Sequence, residues 1–353
     1  MHTVYDCIVI GGGQAGLASG YHLKKKGLRF LILEAGEQAA GSWPRYYDSL
    51  KLFSPARFSA LPEMKFPGEP NGYPTRDEVI RYLQKYRDKF QLPVRTNQRV
   101  ESVEKEGTGF SIRTAAGDRF LSRTIINATG SFHNPYKPSI PGEELFQGNM
   151  IHSSEYRNPE PFRNRRIVVV GRGNSAVQIG VELAEVSITS LAVLQPVQFV
   201  KQRFLGLDLH AWVRLTGFDT FPFWRFGIIA PGSSAVNDTG QYEAKISAGK
   251  PDQQPMFTSF YEDGVVWPNS QREKVDTIIY ATGYRPYVPY LEAIGALDES
   301  GKPLQRGGIS SVPGLYFVGL EGQRSFSSAT LRGVGPDAGF VVKQLTKYLT
   351  LSL

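Results

Sequence analysis

The stretch YDCIVIGGGQAGLASGYHLKKKGLRFLILEA, residues 5–35, decides the fold of this chain. Its apolar, β-branched run Cys7–Ile10 predicts a buried strand, and the glycine-rich loop after it leads into apolar positions at helical spacing. The helix is predicted to end near Gly27, and a second strand covers Phe30–Leu33. Strand, helix and strand within about 30 residues form a βαβ unit, which predicts a parallel sheet.

The loop of this unit has the glycine spacing of a dinucleotide-binding site. Gly11 permits the tight turn, Gly13 lets the backbone approach a pyrophosphate, and Gly16 allows helix and strand to pack closely. The helix N-terminus then faces the phosphates, and Glu34 ends the second strand where a carboxylate can accept hydrogen bonds from the adenosine ribose. The predicted contacts of this unit are Gly11, Gly13, Gln14, Ala15, Gly16 and Glu34.

A second unit of the same layout, RRIVVVGRGNSAVQIGVELAEVSITSLAVLQP, occupies residues 165–196. It predicts a strand over 167–170, a helix to about Glu185 and a strand over 191–194. Alanine stands in place of the third glycine, as the fingerprint permits. The predicted contacts of this unit are Gly171, Gly173, Asn174, Ser175 and Ala176.

The end of the second unit bears on which nucleotide it binds. Glu34 lies 23 residues after the first glycine of its loop, whereas the same count in the second unit reaches Leu194, so no acid stands there. A carboxylate would bind a ribose 2′-hydroxyl and repel a 2′-phosphate, so its absence favours NADPH. No arginine stands at that strand end to clamp the phosphate, although Lys201 and Arg203 follow closely. NADH therefore stays open as the alternative.

Two further apolar strands end in Ala-Thr-Gly: TIINATGSF, residues 124–132, and TIIYATGYRP, residues 277–286. A glycine at a strand end lets the chain turn sharply beside a bound cofactor, and both stretches fall where the chain can cross between domains. We expect an α/β fold of two Rossmann-like dinucleotide-binding domains, with residues 150–283 inserted into a domain of residues 1–149 and 284–353. The predicted contacts are Thr129, Gly130, Thr282 and Gly283.

Composition excludes several other classes of protein. The 353 residues are 41% hydrophobic, enough for two or three globular domains, and the net charge of +7 comes from scattered basic residues. We therefore expect no nucleic-acid partner. Cys7 is the only cysteine, which excludes a dithiol redox centre within the chain and predicts a buried core side chain. No leader and no apolar run of about 18 residues is visible, which predicts a cytoplasmic protein without a membrane span.

The segment of residues 199–231, FVKQRFLGLDLHAWVRLTGFDTFPFWRFGIIAP, is rich in Phe and Trp and broken by glycine and proline. It fits a hydrophobic substrate entrance or lid, a contact with a membrane surface, or plain packing on the nucleotide domain. These three interpretations stay open. His210 within it is expected to be a structural histidine and not a catalyst.

The stretch FQGNMIHSSEY, residues 146–156, has neither helical nor alternating apolar period, and by itself it predicts a polar connector. Its residues match FxGxxxHxxx(Y/F), the motif that identifies the flavin-containing monooxygenases, and the whole chain resembles the short bacterial members of that family. The related Baeyer-Villiger monooxygenases end the motif in tryptophan. The residues in register are Phe146, Gly148, His152 and Tyr156.

The resemblance implies FAD on the first loop and NAD(P)H on the second, so that an NAD(P)H-binding domain is inserted into an FAD-binding domain. GSWPRYYDSLKLFSPARFSALP, residues 41–62, is similar to the segment that runs along the isoalloxazine in this family. GLYFVGLEGQRSFSSATLRGVGPDAG, residues 314–339, is similar to the segment that closes over the flavin ring. The further FAD contacts that it implies are Ser42, Trp43, Leu52, Gly319 and Leu320.

Two positions depart from the family pattern. Many members have an asparagine facing the flavin where the nearest residue here is Phe53, which becomes the flavin-facing candidate. Arg172 replaces the small residue that usually stands in the second loop, which bears on how the nucleotide pyrophosphate is held. No catalytic acid or base is assigned, and the resemblance implies that His152 is a hinge and brace between the domains.

The chemistry implied by the resemblance is that of a flavin monooxygenase. NAD(P)H passes hydride to the flavin, and a C4a-(hydro)peroxyflavin formed with O2 oxygenates a small sulfide, amine or ketone. Two alternatives stay open: a flavin reductase of ferredoxin type that does not oxygenate, and a flavoprotein redox accessory or sensor. Thioredoxin-type reductases need a CxxC that this chain lacks, and bacillithiol-type reductases use a cysteine near the first loop, where Gln14 stands. A homodimer is expected, because closed twofold assemblies are the commonest.

Overall fold

The computed structural model describes residues 3–228, 230, 235–239 and 241–351. Its strands are β1 Val4–Ile10, β2 Phe30–Leu33, β3 Val94–Arg95, β4 Val100–Glu106, β5 Gly109–Thr114, β6 Arg119–Asn127, β7 Asn149–His152, β8 Arg166–Val170, β9 Ile188–Val193, β10 Phe199–Lys201, β11 Arg203–Phe204, β12 Leu207–Asp208, β13 Val236–Asp238, β14 Asp252–Pro255, β15 Ser259–Tyr261, β16 Gly264–Val266, β17 Arg272–Lys274, β18 Thr277–Tyr280, β19 Gln305–Arg306, β20 Ile309–Ser310 and β21 Leu315–Phe317. Its α-helices are α1 Gln14–Lys25, α2 Arg76–Lys89, α3 Asn174–Leu183, α4 Leu209–Leu215, α5 Tyr242–Ser247 and α6 Leu331–Leu351.

The first sheet is built around β1, which pairs in parallel with β2 on one side and β6 on the other. The order along the sheet is β19-β20-β21-β6-β1-β2-β3, and β4 and β5 form a hairpin attached to β6. Helices cover one face of the central strands and a second core covers the other, so these strands are runs of apolar residues without alternation. All of β2 and the last four residues of β1 are buried. The parallel pairing of β1 with β2 is the arrangement that the first βαβ unit predicts.

Helices α1, α2 and α6 pack on one face of this sheet and share one apolar core. Helix α2 begins at a capping box, in which the Thr75 side chain accepts from the backbone N–H of Glu78 and the Glu78 carboxylate accepts from the N–H of Thr75. Its buried face contributes Tyr82 and Tyr86, whose rings lie beside each other. The ring of Tyr86 also lies beside that of Tyr21 on helix α1. The opposite face of the sheet holds a second core that includes β4 and β5.

The second sheet has the order β14-β9-β8-β18-β7, with all neighbouring strands parallel. Helices α3 and α5 pack on one of its faces, and the antiparallel strands β15 and β16 supply residues to the core on the other. Two sheets whose central strands are parallel, both packed against helices, confirm the predicted α/β class. The second sheet takes its strands from Asn149 to Tyr280, while the domain limits at 149/150 and 283/284 stay a prediction.

The prediction that FQGNMIHSSEY is a polar connector is wrong. Asn149–His152 forms β7, the edge strand of the second sheet, in register with β18 from Asn149 opposite Thr277 to His152 opposite Tyr280. A strand of only four residues at the edge of a sheet contains too few apolar residues to show an alternating pattern. The second unit also has slightly different limits from those predicted, with α3 ending at Leu183 and β9 spanning Ile188–Val193.

The aromatic segment of residues 199–231 folds as short strands, helix α4 and two turns of 3-10 helix, and residues 229 and 231 lie outside the described part. Its large apolar side chains that are exposed in the described part are Phe204, Leu205, Leu207, Leu215, Phe218, Phe221, Phe226 and Ile228. The three interpretations of this segment therefore stay open. None of the helices in the described ranges is long and apolar enough to cross a bilayer.

Candidate active site

The turn after β1 brings backbone segments into close contact. Gly11 has φ of +108°, and a Cβ on it would lie 2.8 Å from the carbonyl oxygen of Ala128. A Cβ on Gly16 would lie 1.8 Å from the carbonyl oxygen of Gly11, which leaves no room for a side chain between α1 and the turn. A Cβ on Gly13 would meet nothing nearer than 3.4 Å, and no side chain caps α1 there. The first N–H groups of α1 are therefore open to an anion such as a pyrophosphate.

Glu34 lies at the end of β2 against this turn, and it is buried. Its Oε2 accepts a hydrogen bond from the N–H of Gly12 at 2.6 Å, and its Oε1 accepts one from the N–H of Gly36 at 2.7 Å. These two bonds fix the carboxylate beside the glycine turn. This is the position at which the sequence predicts the ribose contact.

A cavity of about 310 Å³ lies over the turn, bounded by the first loop, residues 41–54 and the segment before α6. Most of the residues predicted to contact FAD line it. They are Gly11, Gly13, Gln14, Ala15, Glu34, Ser42, Trp43, Leu52, Phe53, Thr129, Gly130 and Gly319.

Two predicted contacts do not line this cavity. Gly16 packs against the carbonyl oxygen of Gly11, and Leu320 packs against the core on the other face of the sheet. The sequence also missed several lining residues, because a local pattern does not show which side chains of a segment face the cavity. These include Tyr46, Gln98, Arg99, Phe132, His133, Tyr290, Ala329, Thr330 and Leu331.

The Gln14 side chain ties together the three segments that bound the cavity. Its Nε2 donates to the carbonyl oxygen of Ala329 at 2.5 Å, and its Oε1 accepts from the indole N–H of Trp43 at 3.0 Å. Ala329 has φ of +71°, a left-handed conformation that is rare for a residue with a side chain. The contact explains how residues 41–62 and 314–339, both matched to the flavin family, meet at the first loop.

Phe53, the flavin-facing candidate, lines the cavity and stacks on His210, with ring centroids 6.1 Å apart at an angle of 24°. Phe58 stacks on the same histidine at 6.3 Å and 27°. His210 is buried, and its Nδ1 lies 2.8 Å from Oδ1 of Asp208. The histidine is thus held in place between the aromatic rings, as expected of a structural residue.

Asp208 collects hydrogen bonds from three side chains around it. Its Oδ2 accepts from the hydroxyl of Tyr73 at 2.9 Å and from Nε2 of Gln202 at 2.8 Å, while Oδ1 faces His210. Burial alone would raise the pKa of the Asp208 carboxyl, but these hydrogen bonds outweigh it and lower the pKa to about 2. Gln202 also donates to the carbonyl oxygen of Phe53 at 3.0 Å. The carboxylate therefore fixes the wall of the cavity at Phe53.

The second loop repeats the geometry of the first. Gly171 has φ of +137°, and a Cβ on it would lie 2.5 Å from the carbonyl oxygen of Ala281. Gly173 begins α3 without a side-chain cap, and a Cβ on it would meet nothing within 4 Å. Asn174, Ser175 and Ala176 form the first turn of that helix. The N–H groups of this turn are open to a second pyrophosphate in the same way.

The Arg172 side chain extends from the second loop to the end of β9, where the sequence itself has no arginine. Its Nη1 donates to Oε1 of Gln195 at 3.2 Å, and Gln195 follows the end of β9. The guanidinium is therefore supplied by the glycine loop itself. Lys201 and Arg203, the residues suggested by sequence for this task, lie exposed on β10 and β11.

His152 joins β7 to the loop after β18. The backbone N–H of Ser154 donates to its Nδ1 at 3.1 Å, so Nε2 carries the proton and donates to the carbonyl oxygen of Gly283 at 3.1 Å. Burial lowers the pKa of His152, which keeps the ring neutral at pH 7. Thr282 next to this glycine donates through its hydroxyl to the carbonyl oxygen of Tyr136. The second Ala-Thr-Gly loop is thus anchored on both sides.

The other motif residues each have a packing role. Phe146 is buried against Phe260, and a Cβ on Gly148 would lie 2.3 Å from the Phe146 ring. Tyr156 is fully buried, and its hydroxyl donates to Oε2 of Glu182 on α3 at 2.8 Å. The motif FxGxxxHxxxY therefore fixes the edge of the second sheet to its first helix.

Cys7 lies within the core, as predicted, and burial raises the pKa of its thiol to about 12. A thiol with so high a pKa is not a nucleophile at neutral pH. Within the part of the chain that the structure describes, no group of three His, Cys, Asp or Glu side chains is placed to hold a metal ion.

Comparison with known proteins bears on the chemistry of these two loops. The family described as "Pyridine nucleotide-disulphide oxidoreductase" matches residues 8–203. An "Uncharacterized oxidoreductase CzcO-like" of Geobacillus kaustophilus is 34% identical over 99% of this chain and 100% of its own length. "Indole-3-pyruvate monooxygenase YUCCA4" of Oryza sativa is 31% identical over 98% of this chain and 88% of its own. The solved structure "Flavin-containing monooxygenase from Stenotrophomonas maltophilia" is 30% identical with a TM-score of 0.87, covering 99% and 100% of the two chains.

Proposed function

This chain belongs to the flavin-dependent monooxygenases, whose members use FAD and NADPH, and on that premise we propose that it oxygenates a small sulfide, amine or ketone. One observation carries the proposal of substrate. The cavity at the first loop continues from the glycine turn to an apolar wall made by Leu52, Phe53 and Leu331. Such a wall accepts an apolar molecule and keeps water away from it.

Both loops fit the dinucleotides that the family uses. When bound, FAD takes up a hydride from the nicotinamide nucleotide and activates O2. Gly11, Gly13 and the first turn of α1 bind its pyrophosphate in our proposal, and Glu34 holds its adenosine ribose. Gly173 and the first turn of α3 bind the second nucleotide in the same way. The Gln14 contacts to Trp43 and Ala329 fix the two cavity walls that would hold the flavin.

We further propose that NADPH is preferred over NADH. The 2′-phosphate of NADPH needs a cation at the end of β9, and the Arg172 guanidinium lies there against Gln195. An arginine can hold a phosphate through two parallel hydrogen bonds. The residue at the end of the second unit is Leu194 and not an acid, so no carboxylate stands at that position to repel the phosphate. Gln195 orients the guanidinium in the absence of the nucleotide.

His152 acts in this proposal by position and not as an acid or base. Its neutral ring has both nitrogens engaged by neighbouring groups, which leaves no proton to exchange with a substrate. The contact to Gly283 holds the turn after β18 at a fixed place relative to β7. Residues 146–156 then keep the second glycine loop at a fixed position relative to the first domain.

The remaining proposals concern assembly and location. We propose a homodimer, because closed twofold assemblies are the commonest among soluble oligomers, and a cytoplasmic location, because a chain with one cysteine suits a reducing compartment. Light scattering of the FAD-loaded protein measures the first, with a mass of twice 39.2 kDa expected.

A panel of acceptors tests the proposed reaction. The purified protein is supplied with NADPH and, in turn, a thioether, a tertiary amine, a cyclic ketone or ferredoxin. We expect oxidation of NADPH to be coupled to formation of sulfoxide, N-oxide or ester from at least one organic acceptor. Electron transfer to ferredoxin without any oxygenated product from the organic acceptors would refute the proposal.

A further inference from the structure

A second cavity, of about 250 Å³, lies outside the FAD cavity and is rich in arginine. Arg57, Arg214 and Arg332 line it together with Phe58, and no acidic side chain of the described residues does. The three arginines come from a turn before α2, from α4 and from α6, so they meet only in the folded chain. We call this site the arginine cavity.

Arg332 is the buried member of the group. Its side chain is only 10% exposed, and its Nε and Nη2 contact the Asp219 carboxylate at 3.0 Å. These two groups share one edge of the planar guanidinium, so Nη1 lies on the opposite edge. Nη1 is buried and has no hydrogen-bond partner among the residues that the structure describes. Because a buried cationic N–H without an acceptor is unfavourable, an anion in the cavity would stabilise this side chain.

Arg57 and Arg214 are the exposed members of the group, so the cavity can be reached from solvent. Neither forms an ion pair with any carboxylate in the described ranges of the chain, and Arg57 lies over the ring of Phe58 at 5.0 Å. With one carboxylate, Asp219, against three guanidinium groups, the cavity has a local excess of two positive charges. Such an excess attracts an anion from solution.

The arginine cavity is separate from the FAD cavity, and no described residue lines both. Phe53 lines the FAD cavity, Phe58 lines the arginine cavity, and the ring of His210 stacks on both of them. On α6, Leu331 lines the FAD cavity and Arg332 lines the other. A ligand of the arginine cavity is therefore held apart from the flavin and from any molecule bound beside it.

We infer that the arginine cavity is a binding site for a phosphate group, carried by inorganic phosphate or by a small phosphate monoester. A phosphate group carries about −1.5 to −2 charges at pH 7, which matches the excess of two positive charges, whereas a carboxylate carries one. Its oxygens point in several directions and can accept from guanidinium groups on different sides. An ordered water needs only about 15 Å³ of free space, so this cavity has room for a polyatomic ion.

A bound phosphate would connect three parts of the chain. Arg214 lies on α4 within the aromatic segment of residues 199–231, Arg332 lies on α6, and Arg57 lies in the turn before α2. A ligand that binds only the folded protein raises its stability in proportion to the logarithm of the ligand concentration. The site thus holds the aromatic segment against α6. It goes beyond the proposed oxygenation and does not depend on it.

Calorimetry on the FAD-loaded protein at low ionic strength tests the inference. The probes are inorganic phosphate, glycerol 3-phosphate and acetate. The variants are Arg57→Gln, Arg214→Gln and the double variant, and Arg81→Gln on α2 removes an exposed arginine elsewhere as the control. Arg332→Lys keeps a cation opposite Asp219 but has no Nη1, so it tests the buried donor without leaving the carboxylate unpaired. Thermal unfolding with and without phosphate checks that each variant is folded.

We expect one phosphate group to bind per chain with a Kd of about 1 mM or lower, and acetate to bind about ten-fold more weakly. Each single glutamine variant at the cavity should raise the Kd for phosphate about five-fold, the double variant about twenty-fold and Arg332→Lys about ten-fold. The control should bind like the wild type. Phosphate should raise Tm in the wild type and the control but not in the double variant. A lower Kd for glycerol 3-phosphate than for phosphate would identify the monoester as the ligand, and the reverse would identify inorganic phosphate.

Three results would overturn the inference. The first is the absence of saturable binding of both phosphate probes, or an equal Kd in the wild type and the double variant. The second is an equal Kd for phosphate and acetate, which would show attraction of any anion. The third is a Kd for phosphate that rises when NADP⁺ is added, which would place the phosphate at the second glycine loop. None of these measurements involves turnover, so a failure here leaves the proposed function standing.

Discussion

The Nε2 atom of His152 lies 3.1 Å from the carbonyl oxygen of Gly283 and donates a hydrogen bond to it. This bond joins the last residue of β7 to the second Ala-Thr-Gly loop, at the point where the chain returns to the first sheet. The backbone N–H of Tyr136 donates to the same oxygen at 2.9 Å. The histidine that identifies the family by sequence thus shares its acceptor, the carbonyl oxygen of Gly283, with Tyr136, which precedes the second sheet in the chain.

Replacing His152 tests this role. In His152→Ala we expect a loss of about 2–3 kcal/mol in the free energy of unfolding, because a buried ring and its hydrogen bonds are removed. FAD content should stay near that of the wild type, while anaerobic reduction of FAD by NADPH slows about ten-fold. His152→Gln, whose amide can donate to Gly283, should recover part of both. If the reduction of FAD by NADPH slowed in these variants without any loss of stability, the result would point to direct chemistry by the histidine.

The two glycines that begin α1 and α3 make a matched pair. Gly13 and Gly173 have φ of −79° and −84°, and a Cβ on either has no close protein contact, so alanine is tolerated by the fold itself. We expect Gly13→Ala to lose FAD, measured by absorbance at the flavin maximum, because the Cβ would stand where the pyrophosphate approaches. Gly173→Ala should keep FAD and lose reduction by NADPH. Equal loss of FAD from both proteins would contradict the assignment of the two loops.

The contact of Arg172 with Gln195 predicts nucleotide preference. Arg172→Ser should raise KM for NADPH about ten-fold and leave KM for NADH nearly unchanged, because only the 2′-phosphate loses its cation. Gln195→Glu should act in the same direction by repelling that phosphate. Inhibition by 2′,5′-ADP against 5′-AMP gives the same comparison without turnover. An equal effect of Arg172→Ser on both nucleotides would assign this residue to the pyrophosphate instead.

The network around Asp208 predicts a stability that depends on pH. The pKa of this carboxyl is lowered in the folded protein from 3.8 to about 2, so the fold favours the ionised form. Its contribution is fully present above pH 3.8 and is lost as pH falls toward 2. Asp208→Asn should therefore be less stable than the wild type by about 1–3 kcal/mol at pH 7, and the difference should shrink below pH 4. Urea unfolding of both proteins from pH 7 down to pH 3 measures this, and a difference independent of pH would contradict it.

The local patterns were sufficient to predict both βαβ units, because each is a run of buried residues interrupted by a glycine turn with a fixed spacing. Contacts between residues far apart in the chain could not be predicted in this way. The bond of Gln14 to Ala329 spans 315 residues, and Arg57, Arg214 and Arg332 line one cavity although they belong to three different elements. The strand β7 was missed because an edge strand of four residues has too short a pattern.

Some local features could not be predicted either, because they depend on where individual side chains extend in the folded chain. Counting from the second loop correctly found no acid at Leu194, yet a count cannot show that the long Arg172 side chain folds back to Gln195. His210 was expected to be structural, and it is buried against Asp208. The sequence could not indicate that the rings of Phe53 and Phe58 both stack on His210.

We propose that this protein transfers one oxygen atom from O2 to an organic molecule at the expense of NADPH. The most direct measurement is mass spectrometry of the product formed under 18O2 from 3-(methylthio)propanoate, its amide, a tertiary amine and a cyclic ketone. We predict that at least one product carries a single 18O atom, with one NADPH oxidised for each molecule formed. If every acceptor instead leaves NADPH oxidation coupled only to hydrogen peroxide, with no 18O in any organic product, the protein is not a monooxygenase for these classes of substrate and the proposed function is wrong.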